Sequence, residues 1–221
     1  RTGKYERRES VQTLSRAVTQ GAETVLIKAL KDTGNGDWFT VIERANLNNL
    51  LKERQIITEM RQRYLGEQRV NPEALPPLLF AGVLLEGGII GFDSNTVTGG
   101  AGARLLGIGG NAEYRQDTVT IYLRAVSVKT GEVLATVTAR KTIASFMMRA
   151  DVFKFISFDE LLELEAGFTH NEPSLVALQQ AIEKGVYALI LEGSDQKLWR
   201  FADAQIGAAL REEYQARRRT A

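Results

Sequence analysis

The stretch that decides the fold is Gly88-Ile-Ile-Gly-Phe-Asp-Ser-Asn-Thr96, which continues into the glycine-rich Gly99-Gly-Ala-Gly102. Apolar and polar residues alternate along it, so that Phe92 and Asp93 point to opposite sides. Alternation with a period of two predicts a β-strand that has one apolar face and one polar face. The glycines predict a tip, after which the chain returns from Leu105 to Arg124 as the second arm of a first β-hairpin.

A second hairpin is predicted from Thr136 through Phe146-Met-Met148 to a tip at Arg149-Ala-Asp151, and back through Val152-Phe-Lys-Phe-Ile156. Each arm has roughly the 9–11 residues that a β-strand needs to cross a membrane. Two interpretations fit this pattern. The hairpins are part of a membrane β-barrel wall, or they form a β-meander that lies over a soluble core.

The membrane interpretation gives each hairpin a lipid side and a water side. The predicted lipid-facing residues are apolar and comprise Phe92, Leu106, Ile108, Phe146, Met148, Phe153 and Phe155. The predicted pore-facing residues are polar and comprise Asp93, Asn95, Arg104 and Lys154. Two hairpins cannot close a barrel, and open strand edges in lipid leave unpaired backbone groups that cost several kcal/mol each. The membrane interpretation therefore requires several copies in a ring.

Helices and strands alternate on both sides of these hairpins, which predicts an α/β domain. The first helix is expected over 17–31, a short strand over 38–43, and a second helix over 47–63 with a buried face formed by Leu47, Leu50, Leu51, Ile57 and Met60. A strand over 81–90 leads into the hairpins, and strands 117–128 and 132–138 are joined by the tight turn Lys129-Thr-Gly131. Asn171-Glu-Pro173 predicts the start of a helix, and a last helix is expected over 202–217.

Composition excludes several classes of protein. The net charge is +1 and no basic patch carries interleaved aromatic residues, so nucleic acid is not a predicted partner. Cysteine is absent, which excludes disulfides and cysteine-based metal or nucleophile sites. The sequence has no run of 18 or more apolar residues, so no transmembrane helix is predicted. No signal peptide is visible. The chain opens at Arg1-Thr-Gly3, inside a predicted turn, and we expect that an upstream segment has been removed.

Candidate catalytic residues are few and have simpler interpretations. Gly100-Ala-Gly-Ala-Arg-Leu-Leu-Gly107 lacks the third glycine of a dinucleotide-binding loop. His170, the only histidine, precedes a predicted helix and suits a capping or surface role. The acidic residues Asp159, Glu160, Glu163 and Glu165 suit a solvated face. We therefore predict no enzyme, no catalytic residue, no metal site and no cofactor.

Motifs spread over nearly the whole chain resemble the CsgG family, the curli secretion channels of the bacterial outer membrane. Those in the hairpin region are Ile89-Ile-Gly-Phe-Asp-Ser-Asn95, Gly99-Gly-Ala-Gly-Ala-Arg104, Leu106-Gly-Ile-Gly109, Val126-Ser-Val-Lys-Thr-Gly-Glu-Val133, Lys141-Thr-Ile143 and Val152-Phe-Lys-Phe-Ile156. Outside it the motifs are Trp38-Phe39, Glu43-Arg44, Asn49-Leu-Leu-Lys-Glu-Arg-Gln-Ile56, Asn171-Glu-Pro173 and Leu198-Trp199.

The resemblance implies a periplasmic α/β domain with two inserted amphipathic β-hairpins, four strands per subunit, in a transmembrane β-barrel shared by nine identical lipoprotein subunits. The implied division is periplasmic domain 1–88, first hairpin 89–112, periplasmic strands 113–138, second hairpin 139–168 and helical C-terminal part 169–221. Unfolded curli subunits, which form amyloid fibres, would diffuse outward without ATP. The implied partners are these subunits, outer-membrane lipid, a CsgE-like periplasmic cap and a CsgF-like factor. A periplasmic α/β binding or scaffold module that does not span the membrane is the alternative.

The family's pore is narrowest at a loop before the first helix, which the resemblance implies at about 5–16. Counting back from Ala17-Val-Thr-Gln20 assigns Glu9, Thr13 and Leu14 to the constriction, and a shift of one residue would replace Glu9 by Ser10. None of these is the Tyr, Asn or Phe of the family. A ring of Glu9 would make the throat acidic and favour cations. The family's acylated cysteine and the strand before the Thr-Gly turn have no counterpart in this sequence.

Overall fold

The computed structural model describes residues 21–69, 71–109, 113–149, 152–158 and 164–220. Five strands form one antiparallel sheet in the order of the sequence: β1 (Val83–Thr98), β2 (Glu113–Ser127), β3 (Val133–Arg149), β4 (Val152–Phe158) and β5 (Leu164–Thr169). The helices are α1 (21–32 among the described residues), α2 (Leu47–Leu65), α3 (Gly100–Leu105), α4 (Pro173–Asp195) and α5 (Ala204–Thr220). The mixed α/β composition agrees with the prediction, while the sheet of the single chain is open.

The main core lies between α4 and the parts of β2 and β3 nearer to the turn that joins them, which we call their inner halves. Leu178 and Leu189 of α4 are fully buried, and they pack in one cluster with Val119 and Ile121 of β2. Gly185 allows α4 to approach the sheet closely, because a Cβ there would lie 3.0 Å from the Ile121 side chain. The predicted helix after Asn171-Glu-Pro173 is confirmed, and its first turn contains the proline, which has no N–H to leave unpaired.

The turn between β2 and β3 is confirmed at the predicted position. Gly131 has φ +73°, a left-handed conformation that glycine adopts without steric cost. Its N–H donates to the Ser127 carbonyl at 2.8 Å. Strand β3 ends at Arg149 and β4 begins at Val152, on either side of residues 150–151 of the predicted tip. The first and last predicted helices are also confirmed within the described residues, with shifted ends.

Two predictions in the N-terminal part are wrong. Residues 38–43 form no strand, because no described strand pairs with them; instead Trp38 packs on the core and against Phe201, with ring centroids 4.9 Å apart. Helix α2 exists, but none of its residues is buried. Leu51 and Met60 are about half exposed, at 47% and 51%, because no other described helix or strand packs along α2.

The first hairpin also differs from the prediction at its tip. The chain coils into α3, and the return strand begins only at Glu113. Leu106 and Ile108 therefore lie after a helix and not in the return strand. Small residues explain the difference, because Gly102 and Ala103 are buried and let α3 fold back onto the sheet.

Candidate membrane hairpins

A second, smaller core joins α3 to the parts of β2, β3 and β4 that lie beyond the main core, which we call their outer halves. Its buried members are Ala103, Leu106, Tyr114, Ala144 and Ile156. Gly102 makes the contact possible, because a Cβ there would lie 3.0 Å from the ring of Tyr114. A helix of six residues has too few hydrogen bonds to be stable alone. We infer that packing in this core holds α3 in place.

A hydrogen bond from Lys154 connects the two hairpins. Its Nζ donates a hydrogen bond of 2.7 Å to the carbonyl oxygen of Leu106, which follows α3. The lysine comes from β4, so the bond links the tip region of the first hairpin to the return arm of the second. The side chain is half-buried in this arrangement.

The register of β3 and β4 fixes which side chains share a face. Phe146 lies opposite Lys154, and Ser145 lies opposite Phe155. Directly opposed residues in an antiparallel pair point to the same side of the sheet. Phe146 therefore shares a face with Lys154, and Phe155 lies on the other face. The predicted grouping of Phe146 with Phe153 and Phe155 on the face opposite Lys154 is wrong in this sheet. Which face meets lipid remains a prediction.

The predicted site residues differ widely in exposure. Of the predicted lipid-facing set, Met148 is exposed, and the others are buried or half-buried: Leu106, Phe155, Phe92, Ile108, Phe146 and Phe153. Of the predicted pore-facing set, Lys154 is half-buried, and the remaining three are exposed: Asp93, Asn95 and Arg104. The predicted constriction residues lie outside the described residues: Glu9, Ser10, Thr13 and Leu14.

A polar cluster that the sequence interpretation missed lies where the hairpins leave the main core. Asp117 is fully buried, and Arg115 Nε donates to its Oδ1 at 2.9 Å and to Ser94 Oγ at 3.0 Å. Ser145 lies opposite Arg115 and is 1% exposed. We call Ser94, Arg115, Asp117 and Ser145 the polar cluster. The signal for it was Arg115 and Asp117 two residues apart, because such residues share one face of a strand.

The polar cluster does not satisfy all of its own hydrogen-bonding groups. Arg115 Nη2, Asp117 Oδ2 and Ser145 Oγ are buried and have no hydrogen-bond partner among the described residues. A buried polar atom without a partner loses its hydration and gains nothing in return. The cluster therefore combines the two hydrogen bonds of Arg115 with three polar atoms that contribute none.

Other polar groups among the described residues line a cavity beside α4. A cavity of about 460 Å³ lies between α4 and the last two strands, with a floor that includes Phe155 and Phe168. On its wall, Gln180 accepts a hydrogen bond of 2.6 Å from Ser157 and donates one of 3.3 Å to Glu165. No group of metal-binding side chains occurs among the described residues. His170 is exposed just before α4, and Asp159, Glu160 and Glu163 lie outside the described residues.

Surface ion pairs account for the resolved changes in pKa. The hydrogen bond that Lys28 donates to Asp32 raises the pKa of the lysine, and the hydrogen bond that Arg61 donates to Glu67 raises that of the arginine. Both pairs lie outside the hairpins. Among the described helices, none has the length and apolar character that crossing a bilayer demands.

Comparison with known proteins identifies relatives along the chain. The family profile described as "Curli production assembly/transport component CsgG" matches residues 1–217. The protein of that description from Escherichia coli strain K12 is 45% identical over 186 residues, which cover 84% of this chain and 65% of the relative. Those from Citrobacter koseri and Salmonella typhimurium match with the same identity and coverage. The aligned part thus spans less than two thirds of these relatives. The chain belongs to the CsgG family of curli production assembly/transport components.

Proposed function

We propose that this chain is a subunit of an outer-membrane channel through which unfolded curli subunits are secreted. The observation that carries the proposal is the family match over residues 1–217, since the relatives are named as curli assembly and transport components. The unfolded subunits would pass through a constricted ring by passive diffusion, so that transport would require no catalytic residue. The soluble part would lie in the periplasm.

The lengths of the strands support a spanning role for the hairpins. β1, β2 and β3 contain 16, 15 and 17 residues. Such strands are about three times as long as the usual five or six residues. Their inner halves pack in the main core, and the outer halves, of about eight residues each, approach the ~9–11 residues that cross a membrane. Several copies would share one barrel, because open strand edges are not tolerated in lipid.

The constriction and the partners belong to the same proposal. Glu9 or Ser10, together with Thr13 and Leu14, would line the narrowest ring in an assembly of nine. A CsgE-like cap would close the periplasmic side, and a CsgF-like factor would couple secretion to fibre growth. The family resemblance supports these assignments.

Conductance across a planar bilayer tests the proposal directly. The chain, purified in detergent, is expected to form heat-modifiable oligomers and large channels. A chain that remains monomeric and opens no channel would overturn the proposal. Glu9→Gln and Ser10→Glu form a matched pair for the constriction, because a change of charge alters cation selectivity only at the residue that reaches the axis.

A second candidate function is a periplasmic module that does not span the membrane. The burial of two predicted lipid-facing residues in the chain's own cores favours it, since Leu106 is 1% and Phe155 9% exposed. Such a module would stay soluble and monomeric without detergent. Size measurement with and without detergent distinguishes it from the channel.

A further inference from the structure

We propose that Arg115 and Asp117 are positioning residues that set the pairing register of the first hairpin. The proposal concerns the fold of the hairpin and stands independently of secretion. It follows from the polar cluster, from the composition of the two paired strands, and from a break in their ladder.

Between Phe92 and Val97, which pack against the main core and the second core, the outer half of β1 has no apolar residue that could fix its register. Ser94 and Thr96 point to one face and Asp93 and Asn95 to the other, so that both faces are polar from 93 to 96. A segment that is polar on both faces specifies its register weakly, because it has no apolar residue of its own to expose on sliding. Phe92 and Val97 at its two ends do pack on the cores and contribute to the register. The pairing with β2 also shifts between Ile89 and Gly91. The ladder at Ile89 therefore does not by itself dictate the pairing of residues 93–98.

The polar cluster distinguishes the observed register from its neighbours at Ser94. Ser94 lies opposite Asp117, and the Arg115 guanidinium bonds to both of them. On its other side, Arg115 lies opposite Ser145 of β3. A slip of one residue would turn Ser94 to the other face. A slip of two residues would move Ser94 away and bring Phe92 or Thr96 opposite the buried carboxylate.

The unpaired atoms indicate specificity and not stability as the role of the cluster. Replacing a buried ion pair by apolar residues is often neutral or stabilising, whereas some buried polar groups fix a unique register. Here Arg115 Nη2, Asp117 Oδ2 and Ser145 Oγ already lack partners among the described residues. These atoms contribute no hydrogen bond, whereas the Arg115–Ser94 hydrogen bond joins the two strands and favours the observed pairing over its neighbours.

Disulfide trapping in the full chain measures the register, and the absence of native cysteine makes the measurement clean. Thr98 lies opposite Glu113, so Thr98→Cys with Glu113→Cys reports the native register. Thr96→Cys with Glu113→Cys reports a slip of two residues, because this pair is diagonal in the native sheet and too distant to cross-link well. The ratio of the two cross-linking yields is the readout.

The double substitution Arg115→Met with Asp117→Leu is expected to lower this ratio by about tenfold, which corresponds to ~1.4 kcal/mol. The matched control is Glu86→Gln with Arg124→Gln, which removes an exposed ion pair across the same two strands. The control should leave the ratio unchanged, because exposed ion pairs contribute little.

A ratio in the double variant that matches the parent would overturn the proposal, as would an equal fall in the control. If the double variant fails to fold, Ser94→Ala decides, because it removes only the Arg115–Ser94 hydrogen bond. The ratio should then fall by roughly threefold, as expected for a bond worth about half the effect of the pair; no change would refute the proposal. Channel formation does not enter the readout, so failure of the secretion proposal gives a different result.

Discussion

Leu106→Ala should release α3 from the sheet. Leu106 is 1% exposed and belongs to a small core, with five buried members among the described residues. Truncating a buried leucine costs about 2–5 kcal/mol, because contacts are lost and a cavity remains. A central loss of ~3 kcal/mol corresponds to about a hundredfold increase in local opening. We expect this increase to be confined to α3, because the main core under α4 does not include Leu106.

Amide hydrogen exchange measures this opening at three named bonds. The donors and acceptors are Leu106 N–H to Gly102 O at 2.9 Å, Gly107 N–H to Arg104 O at 3.0 Å, and Ile108 N–H to Ala103 O at 2.8 Å. The matched control is Leu105→Ala in the same helix, since Leu105 is 47% exposed. Equal acceleration in both variants, or none in Leu106→Ala, would refute the conclusion that side-chain packing holds α3.

Three further changes test the packing of the domain, each by urea unfolding. Gly193→Ala should lower the free energy of unfolding by about 1–3 kcal/mol or more, because the new Cβ would lie 2.1 Å from the Trp199 ring. Gly21→Ala, its helical control with open space around the Cβ, should raise it by up to ~1 kcal/mol, and a loss there would contradict the steric argument. Trp199→Phe removes the 2.7 Å hydrogen bond to the Ile190 carbonyl and should cost about 1–3 kcal/mol; an unchanged value would show that the bond is replaced. Gly131→Ala should cost about 1–2 kcal/mol, since φ is +73° there, and a stable variant would mean that the turn relaxes.

Local signals in the sequence predicted the elements whose pairing or capping is local. Gly131 marked its turn, and Pro173 marked the start of α4. The end of β3 and the start of β4 were also predicted, because residues alternate on both sides of 149–152. In each of these cases, the residues that decide the structure lie within a few positions of it.

Longer-range partners decided the rest. Residues 38–43 have the composition of a strand, but strand formation needs a neighbour, and the described sheet supplies none. The glycines at 99–102 suggested a hairpin tip without a helix. A helix fits there because Gly102 packs closely against the ring of Tyr114, which belongs to β2. Arg115 and Asp117 were visible in the sequence, but their burial depends on Ser94 and Ser145 from other strands.

The two ends of the described sheet are unlike each other, and this limits how copies of the chain could associate. β1 is a long edge of 16 residues, and β5 is a short edge of six. An edge-to-edge contact between them would be heterologous, with different surfaces on the two sides. Each added copy leaves one β1 edge and one β5 edge unpaired. The assembly closes into a ring only if the rotation between neighbouring copies brings the last free β5 to the first free β1. A two-fold dimer would instead have to pair the same edge of both copies, β1 with β1 or β5 with β5.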